Sequence, residues 1–479
     1  MNILFLISEV EDIIKTGGLA DVGKALPLAL KALGHDVKIM LPYYKQISAS
    51  VPLSDAMPKQ DLTIHSQHYS FGVKQLSLHG LDVYLIDHPY FSNNESPYSE
   101  EGSANAQRFA FFSIAALKVA NELNFQPDVV HTHDWHTAIA NYFVKSDFLQ
   151  RHEILADDAF FAKTATLISI HNAAFQGVCA LSNVPLLDAE SHAQVYTDNG
   201  YLNLLKTGIA YADTVCPVSP TYAQEVKTVV GSHGIYDVIN QKPDRVIGVL
   251  NGCDYTQWNP STDTFIPASF SLDDISGKAV CKAELQKRAK LKALKQTPLI
   301  GMVCRATEQK GFGYILPILK TLFEHKVQLV IVGTGDAKIT SELASIAKQH
   351  KGQFTFIEAF SPELAHLIEA GSDFFLMPSE FEPCGLNQMY SLAYGTLPIV
   401  RSVGGLADTV IDASNKNGTG FVFDEPSSIA LLSCLRRVLL LNKEQPKLLK
   451  DMQKRAMATE FTWANAALEY QKAYTKSVK

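Results

Sequence analysis

Cysteine is scarce and unordered in this 479-residue chain: seven residues, at positions 179, 216, 253, 281, 304, 384 and 434, with no C-x-x-C pair and no regular spacing. That excludes a disulfide framework and the Cys-rich zinc modules, and it is the pattern of free thiols in a reducing compartment. Long apolar runs are absent as well. No segment approaches the roughly 18 consecutive apolar residues that a bilayer span requires, and the first residues, MNILFLISEVEDIIK, lack the basic region and small-residue cleavage site of a secretory leader. A cytoplasmic protein without a membrane partner is expected. Cationic charge is not in excess: 42 Lys plus Arg against 49 Asp plus Glu leave a net charge of −7. That sign argues against non-specific nucleic-acid binding, which is driven by phosphate neutralisation. An anionic ligand has to be met by cations gathered locally.

What is present is the balance of a folded protein, 47% hydrophobic and 19% charged, in a chain too long for one ordinary core. Short apolar runs recur at 3–7, 37–41, 83–86, 129–131, 166–170, 215–218 and 246–250, and again at 299–303, 328–332, 354–357, 374–377, 397–400 and 420–423. Several are apolar throughout, as strands buried on both faces of a parallel sheet are. Between them lie stretches of helical period at 20–33, 104–123, 313–325, 337–350, 362–370 and 386–394. The alternation predicts α/β architecture with two doubly wound, Rossmann-like domains facing across a cleft. The turn-rich segment NGCDYTQWNPSTDT at 251–264 marks the boundary. The domains are therefore placed at 1–250 and 251–455, with a helical segment at 456–479 that packs back on the first. The basic run 278–295 reads as a solvated helix.

In doubly wound folds ligands bind outside the carboxyl ends of the strands, so the loops that follow strands carry the chemistry. After the first strand comes Lys15-Thr16-Gly17-Gly18-Leu19-Ala20-Asp21. Two glycines entering a helix let backbone N–H groups approach an anion, with Lys15 as a nearby point charge; a tight turn with an exposed lysine has the same pattern. It is not a Walker A loop. After the first strand of the second domain, Arg305 and Lys310 lie five positions apart and suit a diphosphate or, equally, surface salt bridges. Charge-assisted bonds of roughly 1.5–3 kcal/mol each would hold the phosphates and stabilise them as a leaving group. A third loop, Ser379-Glu380-Phe381-Glu382-Pro383-Cys384-Gly385-Leu386-Asn387, sets carboxylates beside a turn and a helix start; they suit the hydroxyls of a neutral ligand or complement the helix dipole. The fourth feature is His131-Thr132-His133-Asp134-Trp135-His136, with His171-Asn172 further on. A metal site is one reading. H-E-x-x-H is absent, however, and there is no D-x-D to hold a metal on a diphosphate. A polar rim for sugar hydroxyls, with Trp135 as a wall, is the other.

Taken together, KTGGLADV at Lys15, NGCD at Asn251, EQKG at Glu308, EAFS at Glu358, FEPCGLNQMYSLAYGTLPIV at Phe381 and GGLADTV at Gly404 resemble bacterial glycogen synthase, whose family includes the plant starch synthases. HTHDWH, HNAAFQG and SPTYAQEV are similar to its other signatures, and the order and spacing match from the first strand to about Trp463. The resemblance implies a retaining glycosyltransferase of the two-domain GT-B fold that moves glucose from ADP-glucose to the non-reducing 4-hydroxyl of an α-1,4-glucan, with no metal or other cofactor. It places Lys15, Gly18, Asp21 and Asn251 at the donor. It implies Arg305 and Lys310 on the diphosphate, Phe356 against the adenine, and Cys384, Gly385, Leu386 and Asn387 over phosphate and sugar. Glu382 is then the carboxylate beside the transferred glucose, with His171 contacting it from the other domain, and Asp134 and His136 fall on the acceptor side. The sequence departs from the family at Cys304, where many members carry Ser, and at Phe175 and Phe356, where Tyr is frequent. The usual His-Gly-Leu-Glu-Phe-x-Gly stretch is replaced around Thr197–Tyr201, in the acceptor half, which bears on primer length and affinity rather than on donor chemistry. Two other readings compete: a GT-B enzyme using UDP-glucose or a small acceptor, and a catalytically silent α-glucan-binding protein. The K-T-G-G loop opposes the first, and the full set of charged residues opposes the second.

Overall fold

The computed structural model describes residues 1–47, 51–94, 96–98, 102–359 and 361–478. Phe360 of the EAFS motif and Lys479 at the end of the 456–479 segment lie outside the described residues. The chain forms two compact units, Met1–Asn251 with Trp463–Lys479, and Gly252–Thr462.

The first unit contains β1 (Asn2–Leu6), β2 (Asp36–Pro42), β3 (Ser54–Ile64), β4 (Gln67–Leu78), β5 (Leu81–Asp87), β6 (Val129–His133), β7 (Ala165–Ile170), β8 (Val178–Ala180), β9 (Thr197–Asp198), β10 (Tyr201–Asn203) and β11 (Thr214–Pro217). Its main sheet has the order β11-β7-β6-β1-β2-β5-β4-β3, and β8-β10-β9 form a small sheet of their own. Six strands of the main sheet are parallel, and β4 and β3 add an antiparallel edge. Strands β1, β6 and β7 are buried nearly throughout, the His, Thr and Ser residues of β6 and β7 included, because helices cover both faces. The β3–β4 hairpin was not among the apolar runs: its strands alternate with polar residues, and only one face is covered. The stretch 246–250, expected as a strand, makes no ladder. It runs beside β11 through Ile247 N–H to the Val215 carbonyl and Val249 N–H to the Pro217 carbonyl, with a single bridge at Val246.

The last helix, Trp463–Val478, belongs to the first unit. Tyr470 and Tyr474 are fully buried on the sheet, where Tyr470 Oη lies 3.0 Å from Ser169 Oγ and Tyr474 Oη lies 2.8 Å from His131 Nδ1. The crossing back to this unit falls at Thr462–Trp463 rather than at 455–456, because Phe461 is tied to the second unit: its carbonyl accepts from Cys253 N–H at 2.7 Å and its N–H donates to Tyr255 Oη at 2.8 Å.

The second unit contains β12 (Leu299–Val303), β13 (Gln328–Val332), β14 (Phe354–Ile357), β15 (Phe374–Met377), β16 (Leu397–Arg401) and β17 (Phe421–Phe423), all parallel in the order β14-β13-β12-β15-β16-β17. The helical stretch expected at 313–325 is broken into Phe312–Ile315, a 3-10 turn at Leu316–Ile318, and Leu319–Leu322. Pro317 supplies no N–H and interrupts the ladder. The basic run is not uniformly solvated. In the helix Gly277–Arg288, Lys278 is buried and donates to the Ala370 carbonyl at 2.9 Å and to Thr396 Oγ1 at 2.5 Å. Burial pulls its pKa down to about 8. Among the described residues no helix is long and apolar enough to cross a membrane.

Each main sheet reverses its winding once, between β1 and β6 in the first unit and between β12 and β15 in the second. At such a reversal the loops leaving the strands diverge and open a crevice. The loops after β1, β6, β12 and β15 are the ones that carry the residues singled out above.

Candidate active site

In the second unit the loops after β12 and β15 are joined. Glu380 N–H donates to the Gln309 carbonyl at 2.8 Å, and Gln309 Nε2 donates to the Phe381 carbonyl at 3.2 Å. Gly311 makes this contact possible: its φ is +81°, and a Cβ there would fall 2.0 Å from the Pro378 carbonyl oxygen. The join brings Lys310 Nζ to 2.6 Å from Glu382 Oε2, with Ser379 Oγ donating to the same oxygen at 2.9 Å. Glu382 is buried, and its carbonyl accepts from Gly405 N–H at 3.1 Å, which seats the G-G-L-A-D-T helix against it. Arg305 differs from Lys310. It is exposed and, among the described residues, pairs with no carboxylate, whereas Lys310 is held in an ion pair with the buried Glu382. Cys304 beside them has its thiol pushed up to about 12 by burial, with Lys310 opposing.

The side-chain amide of Asn387 donates to the Val303 carbonyl at 2.8 Å and pins the helix Asn387–Ala393 to the end of β12. Cys384 is buried, and its carbonyl accepts from Gln388 Nε2 at 3.0 Å. The N–H groups of Gly385, Leu386 and Asn387 have no protein acceptor among the described residues. Phe356 sits half-buried on β14, the edge strand of the sheet.

In the first unit the K-T-G-G loop is organised by a residue that sequence reasoning missed. Glu9 is 3% exposed, and its carboxylate accepts from Thr16 N–H at 2.5 Å, Thr16 Oγ1 at 2.5 Å and Gly17 N–H at 3.0 Å. Tyr98 Oη donates to it as well. The amides of Thr16 and Gly17 are therefore already taken by an internal anion. Gly18 begins the helix Leu19–Ala32 without a side-chain cap. Lys15 is 45% exposed in its side chain and lies 2.7 Å from Asp21 and 3.0 Å from Glu11. Burial alone would lower its pKa, but Asp21 and Glu11 outweigh that and raise it. The Asp21 carboxyl is raised by burial, against the pull of Lys15.

After β6 and β7, the polar-rim reading of H-T-H-D-W-H is corrected. His131 and His133 are fully buried: His131 is held between Ser169 Oγ and Tyr474 Oη at 2.8 Å each, and His133 Nδ1 lies 3.0 Å from His171 Nε2. Burial pushes His171 down to about 3 and His133 far below its usual range. His171 is a neutral imidazole at physiological pH and acts as a hydrogen-bonding group, not as an acid. Asp134 has φ +51°, and its Oδ1 accepts from His171 N–H at 2.7 Å and Asn172 N–H at 3.3 Å. Burial lifts its carboxyl to about 7. His136 stands among the rings of Trp135, Tyr98 and Phe109, with centroids 4.2–4.9 Å away, and its pKa falls to about 3 by burial. Asn251, at the end of the unit, is 7% exposed, and its Oδ1 is buried without a hydrogen-bond partner.

The starch synthase catalytic domain family matches residues 2–241, and the glycosyl transferases group 1 family matches residues 284–458. The glycogen synthase of Aeromonas salmonicida is 44% identical, over 99% of this chain and 98% of that protein. The chain belongs to the bacterial glycogen synthase family. The glycogen synthase of Vibrio parahaemolyticus is 46% identical, over 100% of this chain and 99% of its own length. Among solved structures, the catalytic domain of starch synthase IV from Arabidopsis thaliana, bound to ADP and acarbose, matches with a TM-score of 0.89 at 30% identity, covering 100% of this chain and 99% of that one. Sucrose-phosphate synthase from Thermosynechococcus elongatus, at 16% identity and a TM-score of 0.60, shares the fold. That fold is the GT-B architecture of two Rossmann-like units. The family's sequence signatures fall on the joined loops of the second unit and on the Glu9-organised loop of the first. Glu9 carried one signal before the fold was known: it stands two residues after the first apolar run, in the loop where ligands bind.

Proposed function

We propose that the chain transfers glucose from ADP-glucose to the non-reducing 4-hydroxyl of an α-1,4-glucan, with retention at the anomeric carbon and release of ADP. The observation that carries this reading is the ion pair of Lys310 with Glu382 beside Arg305, which pairs with no carboxylate among the described residues, at the point where the second sheet reverses. A carboxylate suited to sugar hydroxyls and two cations suited to a diphosphate are thereby held in adjoining loops. The starch synthase IV domain is bound to ADP and acarbose, and ADP is the product this reading requires.

Arg305 and Lys310 take the diphosphate and oppose the charge that grows on it as the glycosidic bond breaks. Glu382 stabilises the glucosyl group as it acquires oxocarbenium character. No second carboxylate at glycosidase spacing is assigned, so attack comes from the face of the departing diphosphate, which takes the proton of the acceptor hydroxyl. His171 contributes a neutral hydrogen bond to the glucose. Lys15, Gly18, Asp21, Asn251 and Phe356 complete the donor site, and Asp134 and His136 serve the acceptor side, Asp134 by holding the backbone of His171 and Asn172. With no D-x-D in the sequence, the cations of the chain, not a metal, meet the diphosphate. The compartment we assign is the cytoplasm, supported by seven cysteines none of which forms a disulfide.

Labelled ADP-glucose and UDP-glucose, each offered with a glycogen primer, test this reading. ADP-glucose should label the polymer, and an α-1,4-specific amylase should release the label. Equal transfer from UDP-glucose, or an amylase-resistant product, rejects it.

Lys15→Gln removes the charge that balances Asp21 and Glu11 while keeping length and polarity. Titration calorimetry should show ADP-glucose binding weakened by roughly 10–100-fold, the equivalent of one charge-assisted hydrogen bond, and turnover should fall with it. Parental affinity and turnover would make Lys15 a loop residue only.

A further inference from the structure

We propose that the first unit carries a binding site for a single zinc-class divalent ion, built from His65, His152 and Asp188. Among the described residues this is the one set of His, Cys, Asp or Glu that brings three donor atoms together, all within 4.8 Å of one another. Three separate pieces of chain supply them. His65 lies at the tip of the β3–β4 hairpin, at φ +49°. His152 ends the helix Phe148–Arg151, and Asp188 caps the helix Ala189–Gln194. No local sequence pattern joins these positions, so motif reading could not find the set.

His152 gives the second indication. Its Nε2 is buried and faces Asp188 Oδ2 at 3.3 Å. That separation is close to the edge of a tetrahedron drawn with metal–ligand bonds of about 2.1 Å. A lone pair on nitrogen facing a carboxylate oxygen is unfavourable unless a proton or a cation lies between them. The His65 ring stands edge-on to the His152 ring, with centroids 4.6 Å apart, and its Nε2 contacts the Leu186 carbonyl at 3.2 Å. Carbonyl contacts of that kind orient metal-ligating histidines.

The surrounding charge favours a dication. Arg151 is shared among Asp147 at 3.0 Å, Asp188 at 2.5 Å and Glu190 at 3.4 Å, so one guanidinium faces three carboxylates. Two imidazoles and one carboxylate select a borderline-soft ion such as Zn²⁺ over Mg²⁺ or Ca²⁺, which require oxygen ligands. Because His65 is exposed, a fourth position stays open to water. The bound ion clamps the hairpin tip to the 148–188 region, a structural role separate from glucosyl transfer.

The untagged full-length chain, freed of metal, is titrated with Zn²⁺ by calorimetry and with Co²⁺ by visible absorption. One ion per chain should bind, and Co²⁺ should give the intense bands of a four-coordinate site. His65→Ala, a change at an exposed hairpin tip that the fold tolerates, should weaken binding at least about tenfold, as should His152→Ala. His68→Ala, in the same hairpin but outside the set, should bind as the parent does. Hydrogen exchange at the hairpin tip should slow when Zn²⁺ is added to the parent and not to His65→Ala. Absence of stoichiometric binding, or unchanged affinity in both His65→Ala and His152→Ala, overturns the proposal.

Discussion

Arg305→Ala should lower turnover by about 10²–10³, the loss seen when a preorganised donor to a developing anion is removed, while leaving the melting temperature at the parental value. The guanidinium is exposed and pairs with no carboxylate among the described residues, so the fold loses nothing with it. Its contribution grows as the diphosphate takes on charge, and a loss of that kind appears in kcat more than in primer KM. Lys310→Ala should show a comparable rate loss together with a destabilisation that Arg305→Ala lacks. Lys310 is the cation 2.6 Å from a Glu382 side chain that is only 9% exposed. Its removal leaves Ser379 Oγ, 2.9 Å away, as the partner of that oxygen among the described residues and should cost on the order of 2 kcal/mol. The double variant should lose less than the product of the single losses, because both cations serve one diphosphate. Steady-state kinetics with a thermal melt of each variant decides the matter. Normal turnover with only a raised primer KM would remove both residues from the donor site.

Gly311→Ala should reduce turnover by about 10² or more without unfolding the second unit. The added Cβ would lie 2.0 Å from the Pro378 carbonyl oxygen, in a backbone conformation, φ +81°, that side chains disfavour. The loop after β12 must then move away from the loop after β15, breaking the bonds of Gln309 to Glu380 and Phe381. Lys310 leaves Glu382 as a result. Misplacement of about 1 Å in such a constellation can lower a rate by about 10², and the strained conformation itself costs of order 1–3 kcal/mol. Gly313→Ala, two positions on, is the control: the nearest atom to its Cβ is Glu308 Oε2 at 3.4 Å, the far end of a flexible side chain. Near-ultraviolet circular dichroism should be parental in both variants, with turnover lost only in Gly311→Ala. If Gly311→Ala turns over normally, the joining of the two loops does not position the site.

The legible part of this protein is the part written in local patterns. Strands β12 to β17 follow the apolar runs closely, because a strand buried on both faces cannot be built from polar residues. The loops after β1, β12 and β15 were marked by their glycines and charges. Harder cases failed for specific reasons. The β3–β4 hairpin hid behind polar alternation, the helix at 313–325 broke at Pro317, and 246–250 had a strand's composition but lay beside β11 with a single bridge.

The sequence by itself determined the α/β class, the two sets of strands and the positions in the chain where chemistry resides, since hydrophobic period and turn chemistry act over a few residues. Which partner each polar side chain has was decided only by the tertiary structure. Lys310 meets Glu382 across 72 positions, and His131 meets Tyr474 across 343. Glu9 takes the amides of the K-T-G-G loop, and Asn387 turns its amide to Val303. The physical reason is desolvation: once a charge or an amide is buried it must find a partner. The packing of distant strands, not the neighbouring sequence, fixes which partner lies within reach.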